Sequence, residues 1–169
     1  MRRAATLYGF DGRPPLPILS AGGNYPSPSG PVDEAASAFG QAAVVASPLQ
    51  MASVAAAVAS GTWHQPFVSG APARSHPLPA AVVPQLQDMM RAVVLSGTAA
   101  PVAFPGAVYA KTGTAEYGTA PPGQQLPTDA WFVGYRGTVA FAVIVENGGF
   151  GAGVAAPIAA RFLSAIGSQ

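Results

Sequence analysis

Two apolar stretches, Asp129 to Tyr135 and Thr138 to Val145, are joined only by Tyr135-Arg136-Gly137-Thr138. A link that short turns the chain straight back on itself, so the two stretches pair as an antiparallel hairpin. A third candidate strand, Val108 to Ala115, precedes them. After them Val154, Ile158, Phe162 and Ile166 recur every fourth residue, which predicts a terminal helix with that stripe packed on the sheet. The order is helices first, then three strands, then a helix, and the expected fold class is α+β with antiparallel pairing.

The helices upstream are marked by capping chemistry. Ser47-Pro48-Leu49-Gln50 supplies a capping serine, a proline suited to the first turn, and a glutamine placed to complete a capping box. That helix is expected to run to Ser60 and to stop at Gly61. A second helix is expected over residues 81–95, with Leu86, Met89, Met90, Val93 and Val94 as its buried stripe. Pro84 fits only near its first turn. Prolines and glycines crowd residues 11–36, which read as an irregular loop with turns at Ser20–Asn24 and Pro26–Gly30. Further loops are expected at 66–79 and 117–128.

Lys111 is the only lysine, set against seven arginines, and it opens Lys111-Thr112-Gly113-Thr114-Ala115-Glu116. The two-residue strand period puts Thr112 and Thr114 on one face and Lys111 and Gly113 on the other. An ammonium beside two hydroxyl donors suits an acyl substrate that ends in a carboxylate. On a sheet edge, the free backbone groups of this strand could pair with an extended peptide. The Thr114 N–H could then face the oxyanion of a tetrahedral intermediate. Gly113 weakens a strand, and its usual reason is close approach by a ligand or another backbone. The same residues also fit a surface strand with one solvated lysine and hydroxyls chosen for β-propensity. A phosphate-binding loop fits worse, because no Gly-x-x-x-x-Gly precedes the lysine.

Composition narrows the function classes. A net charge of +1 gives no electrostatic footprint for nucleic acid or an anionic membrane. The absence of cysteine excludes disulfides and thiolate chemistry. No apolar run approaches the ~18–20 residues of a membrane span. Met1-Arg2-Arg3 and the apolar residues 4–10 imitate a signal peptide, but Asp11 ends the stretch and no cleavage site follows. His64 and His76 lack acidic or cysteine neighbours at ligand spacing, so surface or capping roles are expected and no metal or cofactor. Trp131 and Phe132 read as core and cross-strand packing. Glu116 either orients the end of the lysine strand or is simply solvated.

Taken in order, several segments carry a resemblance. Phe39-Gly40-Gln41 leads to Ala46-Ser47-Pro48-Leu49-Gln50-Met51-Ala52. Gly97-Thr98-Ala99 closes the next helix, and Lys111 to Glu116 follows. Ala130-Trp131-Phe132-Val133-Gly134-Tyr135 and the strand ending Glu146-Asn147-Gly148 complete the set. The ordered set resembles the C-terminal part of the transpeptidase domain of penicillin-binding proteins, over nearly the whole chain from about Ala4. The resemblance implies a serine enzyme that cross-links peptidoglycan and is acylated by β-lactams, on the outer side of the cytoplasmic membrane. In that family a Ser-x-x-Lys serine is the nucleophile, a Ser-x-Asn serine helps handle its proton, and Lys-Thr-Gly holds the substrate carboxylate. By position the last role falls to Lys111, Thr112, Gly113 and Thr114, with a peptidoglycan stem peptide or a β-lactam as partner.

The chain departs from the family pattern in two motifs. Val108 stands three residues before the only lysine, so there is no Ser-x-x-Lys. Gly22 and Val145 stand two before the asparagines at 24 and 147, so there is no Ser-x-Asn. The expectation is a 1–169 portion of one transpeptidase domain that is inactive alone and partnered by the upstream half of the same domain. In family members the strands that complete the sheet come from that upstream half. Without them the Phe141–Val145 strand would present an unpaired apolar edge, and oligomers or poor solubility are expected. Three alternatives stand beside this reading: a complete enzyme whose start is misassigned at Met1, a non-catalytic module that binds peptide carboxylates, and a gene remnant.

Overall fold

The computed structural model describes residues 2–167, and Met1 with its proposed misassigned start lies outside them. The predicted hairpin forms. β6 (Tyr109–Glu116), β7 (Thr128–Arg136) and β8 (Val139–Val145) make an antiparallel sheet in the order β6-β7-β8. Register places Thr112 opposite Phe132 and Phe132 opposite Val143; Lys111 lies opposite Val133. Directly opposed residues share a face. Ala110, Thr112 and Thr114 therefore share one with Ala130, Phe132, Phe141 and Val143, while Lys111 and Gly113 share the other with Trp131 and Val133.

The first of these faces is the main core. Phe132 is fully buried, stacked between Phe104 at 5.3 Å and Phe141 at 6.0 Å. α5 (Ala155–Ala165) lies on it through Ala155, Ala156, Ala159 and Leu163. This corrects the expected stripe. Ile158 and Phe162 are 42% and 43% exposed, and Val154 and Ile166 only border the core. The alanines win the sheet-facing side because small side chains let helix and sheet backbones approach, which leaves the larger residues on the flank.

On the opposite face Val133 and Tyr135 are buried, and α3 (Pro48–Ser60) packs against β7 and β8. Its ends follow the capping chemistry. Ser47 Oγ accepts from Gln50 N at 3.1 Å, and Gly61 closes the helix in the left-handed region at φ 74°. The capping box does not form. Gln50, almost fully buried, sends its side-chain amide to the Tyr8 carbonyl instead, tying α3 to the exit of α1 (Arg2–Leu7). α4 (Val83–Leu95), with Pro84 in its first turn, packs on β6. Leu86, Met90, Val93 and Val94 are half-buried on it, whereas Met89 is exposed, a second correction to the predicted stripes.

The Pro/Gly-rich segment is less irregular than its composition suggests. α2 (Pro31–Ala38) begins inside the expected 11–36 loop, with Pro31 in the first turn and Asp33 and Glu34 at its positive end. β1 (Asp11–Gly12), β2 (Gly23–Asn24) and β3 (Val45–Ala46) pair as a small antiparallel sheet. β4 (Thr62–His64) pairs with β5 (Ser75–Pro77), which interrupts the expected 66–79 loop. There Trp63 is buried, stacked on His76 at 5.2 Å, and His76 Nε2 lies 2.8 Å from the Leu7 carbonyl. His64 is exposed.

Candidate functional site

β6 is an edge strand, and its outer edge gathers the residues singled out by sequence. Backbone N–H and C=O groups of one strand residue point the same way, and successive residues alternate. The Thr112 carbonyl accepts from Lys111 Nζ at 2.7 Å, and the Thr114 carbonyl accepts from Gln41 Nε2 at 3.2 Å. Both donors are side chains rather than backbone N–H groups of β7, so Thr112 and Thr114 present their backbone groups to the free edge. Lys111 is exposed and folds its ammonium onto that same edge; Thr112, Gly113 and Thr114 are half-buried. An ammonium, a hydroxyl and an edge N–H thus sit within one short stretch of strand. That set suits an extended ligand ending in a carboxylate.

Gly113 is crowded on both sides. A Cβ there would stand 3.0 Å from the Trp131 Cβ, and Gly151 packs against its main chain so closely that a Cβ at 151 would overlap the Gly113 and Trp131 carbonyl oxygens. The close approach expected at Gly113 is therefore made by the protein's own backbone, at Gly151 in the loop that leads into α5. Glu116 is exposed at the end of β6, opposite Thr128.

The strand's other end is held by stacking. Tyr109 lies over Tyr135 at 4.8 Å with ring planes 5° apart, and the Arg91 guanidinium sits 5.7 Å from the Tyr109 ring centre while donating to the Val108 carbonyl. Burial, and then the neighbouring Tyr109, push the Tyr135 phenol up to about 12.

Two residues at this edge carried no site role in the sequence reading. Thr98 Oγ1 lies 2.7 Å from Thr112 Oγ1, and Gln41 reaches Thr114 from the loop after α2. Both lie in segments noted for resemblance, Gly97-Thr98-Ala99 and Phe39-Gly40-Gln41, but nothing local shows that they converge on β6. Among the described residues no group of three or more His, Asp or Glu side chains is placed to hold a metal ion.

The family model for the penicillin binding protein transpeptidase domain matches residues 1–164. The chain belongs to this family. Peptidoglycan D,D-transpeptidase PbpA of Mycolicibacterium smegmatis is 31% identical over 98% of the chain, and PbpA of Mycobacterium tuberculosis is 29% identical. The chain spans 38% of the length of these curated relatives. Among solved structures, penicillin-binding protein A from M. tuberculosis as a ceftriaxone acyl-enzyme complex superposes with a TM-score of 0.82 at 26% identity. It covers 99% of this chain and 43% of its own. A structure describing how a peptidoglycan synthase complex coordinates polymerization and crosslinking gives 0.81 at 31% identity, over 97% of this chain and 32% of its own. The mixed helix-and-sheet architecture of this penicillin-binding transpeptidase portion is therefore the family fold. No helix among its described residues is long and apolar enough to cross a membrane.

Proposed function

We propose that this chain is the C-terminal portion of a peptidoglycan cross-linking D,D-transpeptidase, in which Lys111, Thr112, Gly113 and Thr114 hold the carboxylate end of a stem peptide or a β-lactam. The observation that carries the reading is the convergence of Lys111 Nζ, the Thr112 hydroxyl and the Thr114 backbone on one free strand edge. Lys111 supplies the point charge. Thr112 supplies a directional donor. Gly113 keeps the strand thin where Trp131 and Gly151 crowd it. The Thr114 N–H faces the carbonyl under attack and stabilises the oxyanion.

The reaction itself is acyl transfer to a serine, and the serine belongs to the upstream half of the domain. This sequence holds no Ser-x-x-Lys or Ser-x-Asn, so the 169-residue chain binds ligand without being acylated. Docking of the upstream half is supported by β8, which is paired on one side only within its sheet, and by the exposed Phe150, Ile158 and Phe162. The relatives' names as peptidoglycan D,D-transpeptidases support a working assembly in the cell envelope, and the proposed assembly works on the outer side of the cytoplasmic membrane.

Calorimetric titration of an N-acyl-D-alanyl-D-alanine into the chain tests the binding role. Affinity that drops with Lys111→Ala, while thermal stability holds, supports it; unchanged affinity overturns it. Intact mass after incubation with benzylpenicillin tests the second statement. A single stoichiometric adduct would show that the chain carries its own activated nucleophile and would refute inactivity alone.

A further inference from the structure

Thr98 occupies a position that a merely convenient surface residue would not need. It follows α4, whose last turn ends at Leu95. The backbone around it is fixed to that turn: Gly97 N donates to Ala92 O at 2.9 Å, Ala99 N to Val93 O at 3.1 Å, and Ala100 N to Gly97 O at 3.1 Å. Ala99 is fully buried in the main core. Gly97 lies so close to the helix that a Cβ there would come 2.7 Å from Val93 Cα. A threonine between two such anchors has little freedom, and its hydroxyl is aimed at one target, Thr112 Oγ1 at 2.7 Å.

A threonine hydroxyl has one proton to donate and two lone pairs to accept with. Where two hydroxyls meet, only one donates. If Thr112 donated to Thr98, it would turn lone pairs toward an approaching carboxylate. If Thr98 donates, the Thr112 proton is left free for the anion, and the two bonds strengthen one another in series. The ammonium of Lys111 on the same edge draws a carboxylate to the place where this second arrangement is favoured.

We propose that Thr98 is a positioning residue that orients the Thr112 hydroxyl as a donor to the ligand's carboxylate, and so sets selectivity for peptides with a free C-terminus. The inference rests on the carboxylate-binding reading of Lys111 to Thr114. Thr98 touches no substrate; it acts through Thr112.

Titration of N-acyl-D-alanyl-D-alanine and of its C-terminal amide into the chain and its variants provides the test. The wild type prefers the free acid. Thr98→Val weakens the acid by about two- to tenfold, the worth of one net hydrogen bond, and leaves the amide unchanged. Thr98→Ser restores the preference. In a Thr112→Val background, Thr98→Val has no further effect, because there is no hydroxyl left to orient. A wild type that binds the acid with an affinity Thr98→Val does not change overturns the positioning role and leaves the carboxylate site standing. Equal loss for acid and amide also overturns it, since that is the signature of a structural defect. A wild type that binds neither ligand overturns the carboxylate reading and this inference with it.

Discussion

Gly151 rests directly on the main chain of Gly113, with the Gly113 and Trp131 carbonyl oxygens in the space that a side chain at 151 would fill. The loop that leads into α5 is thereby clamped onto the strand bearing the candidate site. The requirement is steric, since Gly151 is not among the glycines with positive φ. Gly151→Ala must push the loop off the sheet or bend β6. The expected cost is about 1–3 kcal/mol, the usual penalty for overpacking, together with weaker ligand binding. Urea unfolding and calorimetric titration measure the two effects. A variant as stable as wild type with unchanged affinity would show that the clamp is slack.

Ser47 performs two tasks with one hydroxyl. Its oxygen accepts from Gln50 N at the start of α3, and its proton goes to the Ala21 carbonyl at 2.7 Å. Ser47→Ala removes both and is expected to cost about 0.5–2 kcal/mol. Ser47→Asn retains an acceptor for the cap and should recover part of the loss. Chemical denaturation of the pair measures the difference, and equal stability of all three proteins would deny the cap any weight.

Tyr135 makes stability fall in strong alkali. Its phenol is held neutral in the fold up to about 12, against an ordinary value of 10.0. The folded state thus keeps a proton that the unfolded state releases first, and stability declines as pH rises through the window from about 10 to about 12. Below that window the contribution is fully present. Burial also raises the Tyr8 phenol, so ultraviolet titration of tyrosinate should show a late-ionising component that shrinks in Tyr135→Phe, and that variant should lose less stability across the window. A tyrosine complement that ionises uniformly near the ordinary value would contradict the buried environment.

β8 and the flank of α5 form one apolar margin. The strand runs Val139 to Val145 without a charged residue, and Phe162 meets Phe141 at 6.5 Å while staying 43% exposed. The chain on its own is expected to self-associate through this margin. Phe162→Lys places a charge there and should shift sedimentation toward monomer. A wild type that sediments as a monomer at every concentration would disprove association through β8.

Much of this was legible because the governing interactions are local. Ser47, Pro48 and Gly61 mark the ends of α3 through contacts within a few residues, and the four-residue link at Tyr135–Thr138 dictates the hairpin. Alternation along β6 separates Lys111 from Thr112 by face in sequence and structure alike. Where reading failed, either a local helix start was hidden among loop prolines or a distant partner had decided. Pro31 looked like one more loop proline, yet it opens α2 with Asp33 and Glu34 behind it. The bulky stripe on α5 looked like the core face, and the alanines took that place because the sheet could approach them more closely.

The sequence by itself determined the order of α3, α4, the three strands β6 to β8 and α5, the antiparallel hairpin, the caps of α3 and the placement of one lysine among hydroxyls on a strand. Each of these follows from residues a few positions apart, whose backbone preferences and hydrogen bonds need no third party. Only the tertiary structure decided that Thr98, Gln41 and Gly151 meet the Lys111 strand, and that Gln50 turns to Tyr8 rather than back to its own cap. Those contacts join residues from 14 to 73 positions apart. They arise when packed helices and sheet bring separate loops together, and no periodicity in the chain encodes that meeting.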